Sequence, residues 1–176
     1  MRKLKLQELN RLDVEGYKAS AKVSVVVILD NIRSAINVGS VFRSSDAFAI
    51  ERIILVGFTA TPPSREITKT AIGATSSVDW THVDDITDTL LQLKKNGYTI
   101  TSIEQTDSSV SLLDWDIKPD QKLAIVMGNE VDGVSDEALA LSDVAIEIPQ
   151  YGTKHSLNVS VCTGVVLWEV SRKLRS

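Results

Sequence analysis

The sequence predicts an α/β fold with a mostly parallel sheet flanked by helices. Three observations carry this. Short apolar runs rich in Val and Ile recur along the chain, they alternate with segments of helical spacing, and the connections between them are short. At 176 residues the chain has the size of one domain, and 43% hydrophobic residues suffice for a core.

Residues 1–20 set Leu4, Leu6, Leu9 and Leu12 among charged residues and break at Gly16, the pattern of a short basic arm or helix before a single domain over 21–176. SVVVILD (24–30) is a β-branched run suited to a strand buried on both faces. Helical spacing follows from Asn37 to Phe48. RIILVGF (52–58) makes a second strand, and Pro62-Pro63 then breaks the chain. Residues 64–72 suit a short helix and 84–95 a better one, stopped by Asn96-Gly97. YTITSIE (98–104) and LAIVMG (123–128) are further strands. Residues 135–141 begin as a capped helix, Ser135 preceding Asp136 and Glu137 at the positive end. VAIEIP (144–149) is the last strand and 156–174 a long closing helix.

Composition narrows the function classes. No apolar run reaches the roughly 18 residues of a membrane helix, and no hydrophobic segment follows the N-terminal basic residues, so neither a membrane partner nor a secretory signal is expected. The lone Cys162 cannot form an internal disulfide, as suits a reducing cytoplasm, and reads as a small core residue. A net charge of −4 weighs mildly against a polyanionic partner. The distribution is uneven, however. Residues 1–43 hold eight Lys/Arg against four Asp/Glu and carry +4, leaving −8 for the rest. Such asymmetry suits either a polyanion-facing end or a solvated helix.

In parallel sheets ligands bind beyond the carboxyl ends of the strands, where three polar, Gly-containing loops fall. In the first, Asn37, Gly39 and Arg43 lie at a loop-to-helix junction, Asn37 and Arg43 roughly on one face if all of it is helical. Gly39 admits another backbone or a ligand. Arg43 either clamps a phosphate and steadies negative charge or pairs on the surface with Asp46. In the second loop, Gly128 and Gly133 free the backbone while Asn129, Glu130 and Asp132 supply acceptors. These suit a ribose hydroxyl, an ammonium or a metal, or merely a turn. In the third, Ser156, Asn158 and Ser160 bring polar groups to a helix start, where they need partners. Capping by Ser156 is the simpler reading. Two His and one Cys make no zinc set, and no Walker sequence, post-strand GxGxxG or GxSxG elbow is present. No metal is expected.

NVGSVFR (37–43), IVMGNEVDGVS (125–135) and IPQYGTKHSLNVSVCTGVVLWE (148–169) together resemble, in order and spacing, the signatures of the SpoU/TrmH-type branch of the SPOUT RNA methyltransferases. The resemblance spans the chain from Val23 onward. It implies a C-terminal trefoil knot, S-adenosyl-L-methionine as co-substrate, and a homodimer whose site uses both subunits. It also implies methyl transfer to a ribose 2′-hydroxyl of tRNA or rRNA. By the same resemblance Asn37, Arg43, Glu130, Ser156 and Asn158 are the catalytic set. Thr101, Ser102, Ile103, Gly128, Ile148 and Leu157 then contact the methyl donor. Candidate RNA contacts are Arg33, Arg43, Arg65, Lys69 and Lys154, with Arg2, Lys3, Lys5 and Arg11 on the arm. A guanidinium with pKa above about 12 is a poor base at neutral pH, so Arg43 is read as an electrostatic stabiliser of the 2′-oxygen. Lys154-His155, just before the Ser-Leu-Asn run, departs from the expected pattern. A catalytically silent RNA-binding or assembly protein of the same fold is the alternative reading.

Overall fold

The computed structural model describes residues 1–175. Its strands are β1 (Val23–Asp30), β2 (Ile50–Val56), β3 (Asp79–Val83), β4 (Tyr98–Ile103), β5 (Val110–Ser111), β6 (Lys122–Met127) and β7 (Val144–Glu147). They form one sheet in the order β3-β2-β1-β6-β4-β7-β5, every neighbour parallel. Its helices are α1 (Val14–Ala19), α2 (Ala35–Ala47), α3 (Arg65–Ala71), α4 (Ala74–Ser77), α5 (Ile86–Lys95), α6 (Asp136–Leu141) and α7 (Val159–Leu174), with a 3-10 turn at Leu6–Leu9.

β1 lies between β2 and β6 and explains the three layers. Val25, Val27 and Leu29 point to one face and pack with α1–α4 and α7, whereas Val26 and Ile28 point to the other and pack with α5 and α6. All five are fully buried. A strand buried on both faces has no need of a polar alternate position, which is why it reads as a continuous apolar run. Each such side chain contributes about 1.5–3 kcal/mol through the area it removes from water.

All five predicted strands are present, their ends moved by a residue or two. β2 stops before Gly57, whose φ of +60° turns the chain. Two strands escaped the sequence reading. β3 (DWTHV) is an edge strand with Asp79, Thr81 and His82 exposed, so it has no apolar signature, and β5 has only two residues. The predicted helices are present with their bounds moved by up to three residues, and the one-turn α4 was not foreseen. α2 begins two residues early, where the Ser34 hydroxyl accepts from the Asn37 N–H at 3.3 Å. α7 begins at Val159, three residues late. Its N-cap is Asn158, whose Oδ1 accepts from the N–H groups of Ser160 and Val161, and not Ser156. Ser135 holds the N-cap position of α6, yet its hydroxyl makes no capping bond. Within residues 1–20, α1 buries Tyr17 against the body, while most of the stretch before it is exposed.

Candidate functional site

Because every strand runs the same way, the segments after β1, β6, β4 and β7 gather at one sheet edge. Those after β4, β6 and β7 wall a cavity of about 480 Å³, well within the range of small-molecule sites. Its lining combines the end of β4 (Ile103, Glu104, Gln105), the loop after β6 (Gly128 to Gly133), the end of β7 with the following loop, and Cys162 on α7.

The three sequence motifs meet through one chain of hydrogen bonds. Glu130 Oε2 accepts from the Arg33 N–H at 2.8 Å; its Oε1 accepts from the Ser34 N–H at 3.1 Å and from Asn37 Nδ2 at 2.8 Å. Asn37 Oδ1 in turn accepts from Asn158 Nδ2 at 3.1 Å. Asn158 spends its own Oδ1 on the start of α7 and the Ser160 hydroxyl. Burial pushes the Glu130 carboxyl up, but the N–H of Arg33, the Asn37 amide and the N–H groups of Glu130 itself and Ser34 outweigh it. The net effect holds it below the ordinary carboxylate range. Glu130 is therefore an anion at neutral pH, and it anchors the first turn of α2.

Two tight approaches hold this edge together. A Cβ on Gly128 would lie 2.2 Å from Val134 N and 2.3 Å from the carbonyl carbon of Gly133, so only glycine lets the loop close on itself. Asn129 pairs with Gly133 by two backbone bonds of 2.8 and 3.0 Å, and its Nδ2 donates to the Asn31 carbonyl at 2.6 Å. In this loop Asn129 serves the turn, and Glu130 faces the candidate chemistry. A Cβ on Gly39 would sit 2.6 Å from the Ile67 carbonyl oxygen. The close neighbours there are the Thr70 hydroxyl and the Ile67 backbone of α3, not a ligand.

Arg43 departs from its expected place. Six residues along a helix turn it about 120° from Asn37: Asn37 is buried, Arg43 is exposed, and Arg43 does not line the cavity. It does not pair with Asp46, which accepts from the Ser77 hydroxyl instead. Among the described residues no hydrogen bond or ion pair engages it. Ser156 lines the cavity, exposed and without a hydrogen bond among the described residues.

Of the residues expected around a donor, Ile103, Gly128, Ile148 and Leu157 line the cavity; Thr101 and Ser102 do not. Both lie fully buried within β4, the Thr101 hydroxyl without a partner and the Ser102 hydroxyl 2.6 Å from that of Ser142. These two are paired on both sides within the sheet, and the strand end beside them reaches the cavity.

The lining also holds Glu104, Gln105 and Glu147, which lie outside the motifs, and Asp132 and Cys162, which lie inside them but outside the expected catalytic and donor sets. Glu104 and Gln105 directly follow a buried strand, a signal that was available in the sequence. Burial and then the Glu104 charge push the Cys162 thiol up to about 11. Four carboxylates and no Lys or Arg line the cavity, so it favours a cationic ligand. Arg33, Arg65, Lys69 and Lys154 are all exposed. Arg65 and Lys69 flank a second groove of about 450 Å³ with Ile36, Glu66 and Thr70. Among the described residues no His/Cys/Asp/Glu cluster could hold a metal, and no helix is long and apolar enough to cross a membrane.

This architecture recurs in known proteins. A protein of Staphylococcus epidermidis named for the TrmH family of tRNA/rRNA methyltransferases is 32% identical over 161 residues, covering 91% of this chain and 63% of its own length. The AdoMet-bound rRNA methyltransferase of Sinorhizobium meliloti superposes with a TM-score of 0.81 at 29% identity, over 89% of this chain and 59% of that one. The A. aeolicus TrmH/SpoU tRNA modifying enzyme gives 0.81 at 28% identity, over 92% and 80%. This chain thus spans under two thirds of the length of the S. epidermidis relative. The SpoU rRNA Methylase family model matches residues 24–168, which takes in the first strand, all three loops and most of the closing helix, and the chain belongs to that family.

Proposed function

We propose that this chain transfers a methyl group from S-adenosyl-L-methionine to a ribose 2′-hydroxyl of tRNA or rRNA. The observation that carries the reading is the Glu130–Asn37–Asn158 hydrogen-bond chain, which borders a cavity walled by carboxylates. A donor that is cationic at sulfur and at its amine suits such walls. When bound, it supplies a methyl group already activated by the sulfonium, so the protein's work is to align a sugar oxygen and ease loss of its proton. Alignment of this kind is worth about 7–11 kcal/mol.

Each residue then has a task. Glu130 and Asn37 fix the α2 start, Asn158 fixes the α7 start, and Ser156, unbonded on the cavity wall, is free to meet substrate. Ile103, Gly128, Ile148 and Leu157 form the donor's surroundings. Arg43 stands off its own cavity, so in this reading it serves the cavity of a second copy, binding the 2′-oxygen and the adjacent phosphate. The exposed stripe Leu157, Val161, Val165 and Trp168 supports such a homodimer, since a closing helix rarely leaves this much apolar surface to water. RNA phosphates are assigned to Arg33, Arg65, Lys69 and Lys154, the middle two beside the second groove.

We take residues 21–176 as one cytoplasmic methyltransferase domain with 1–20 as an arm. The trefoil knot belongs to the same proposal. It is supported by the sheet order, in which the last strand, β7, enters between β4 and β5 before α7 packs back on α2. The test is incubation with methyl-labelled donor and total RNA, followed by digestion to nucleosides. Label in 2′-O-methylnucleosides is expected. Label on bases, or donor binding without transfer, would overturn the reading, the latter in favour of a silent RNA-binding protein.

A further inference from the structure

We propose that Glu104 and Gln105, which belong to none of the three motifs, are positioning residues that clasp two loop walls of the cavity for donor binding. The inference rests on the methyltransferase reading above. The two residues extend β4 past its last rung: the Glu104 N–H donates to the Ile146 carbonyl at 3.1 Å, continuing the pairing with β7. From this fixed base the two side chains diverge. Glu104 Oε2 accepts from the Val134 N–H at 3.0 Å, while Oε1 accepts from the Gln105 N–H at 2.8 Å. Gln105 Nε2 donates to the His155 carbonyl at 2.8 Å. One dipeptide therefore holds the loop carrying Glu130 with its first side chain and the loop carrying Leu157 and Asn158 with its second.

The surrounding sequence is shaped to this contact. Gly133 has a φ of +75°, and a Cβ there would lie 2.3 Å from Glu104 Oε2. A side chain at 133 would expel the carboxylate as well as strain the turn. Both dipeptide residues and both loops line the same cavity. Gln105 is exposed and packs into no core, and its contact spans 50 residues of chain. Its hydrogen bond thus bears on the shape of the cavity rather than on folding. Fixing two loops before the ligand arrives lowers the ordering cost that binding would otherwise carry.

The experiment compares full-length wild type with Gln105→Met and Glu104→Gln. It uses calorimetric titration with S-adenosyl-L-methionine, thermal unfolding, and hydrogen exchange resolved by segment. Gln105→Met keeps the length and removes the donor, and should weaken donor binding about tenfold, the effect of one hydrogen bond. Its melting temperature should be unchanged, with exchange accelerated in 152–158 alone. Glu104→Gln turns an amide toward a backbone N–H and should weaken binding at least as much, with faster exchange in 129–134. Donor affinity within twofold of wild type in Gln105→Met overturns the proposal, as does loosening spread evenly over the chain. Wild type that binds no donor overturns the methyltransferase reading instead. Gln105→Met keeps the test decisive if Glu104→Gln fails to fold, because residue 105 is at the surface.

Discussion

Asn37 Nδ2 donates to Glu130 Oε1 at 2.8 Å while its Oδ1 accepts from Asn158 Nδ2 at 3.1 Å, joining residues 93 and 121 positions away. Only an amide offers a donor and an acceptor from the two ends of one short planar group. The three loops are thereby one object, and altering the middle member tests the whole.

Asn37→Asp is nearly isosteric but sets a second carboxylate against Glu130. It should destabilise the fold by about 1–3 kcal/mol at pH 7 and reduce turnover at least tenfold. The loss of stability should shrink as pH falls and the pair takes up a proton. Urea unfolding at several pH values checks this; a pH-independent loss would show that the two groups do not interact.

Glu130 has its folded-state pKa held below the ordinary range, so its contribution to stability is fully present above the unfolded-state pKa near 4.3. That contribution is lost as pH drops through the lower folded-state value. The stability difference between wild type and Glu130→Gln should therefore be constant from pH 8 to 5.5 and close in the acid limb. Denaturant titrations of the two proteins across that range provide the measurement.

Arg43→Ala should abolish turnover while donor affinity, read by calorimetry, survives. If Arg43 serves the second copy's cavity, mixed dimers of Arg43→Ala and Glu130→Ala chains regain one intact site. Activity should return to about a quarter of wild type, from half the dimers each regaining one of two sites. Failure of complementation with confirmed mixed dimers would place Arg43 in its own chain's site.

Cys162 faces the cavity yet its thiol is pushed up to about 11. On the order of 0.1% is thiolate at pH 8. Alkylation by iodoacetamide should be far slower than for free cysteine, and slower again with donor present, as followed by intact mass.

Much of this was legible in the residues. The five apolar strands were visible because a parallel sheet covered on both faces leaves no polar alternation to confuse the pattern, as Val25 to Leu29 illustrate. The loops stood out because Gly128 is demanded by backbone approach and Gly133 by a positive φ beside the Glu104 carboxylate. β3 was invisible because an exposed edge strand has no reason to be apolar. The place of Arg43 was misjudged because a spacing of six keeps two side chains on one helix but not on one side of it. Of the β4 residues named, Ile103 reaches the cavity while Thr101 and Ser102 stay inside the sheet, and Glu104 and Gln105 just beyond the strand end went unnamed because nothing in the three motifs points to them.

The uniform direction of the strands has a practical consequence. The tight reversal at Asn96-Gly97 enters β4 at the strand starts, the edge opposite the cavity. Six extended residues separate it from Glu104, about 20 Å. Gly97 has open space around it at a φ of +84°. A dye, affinity handle or tether placed there, with the glycine retained, can report on ligand binding at the cavity without touching it.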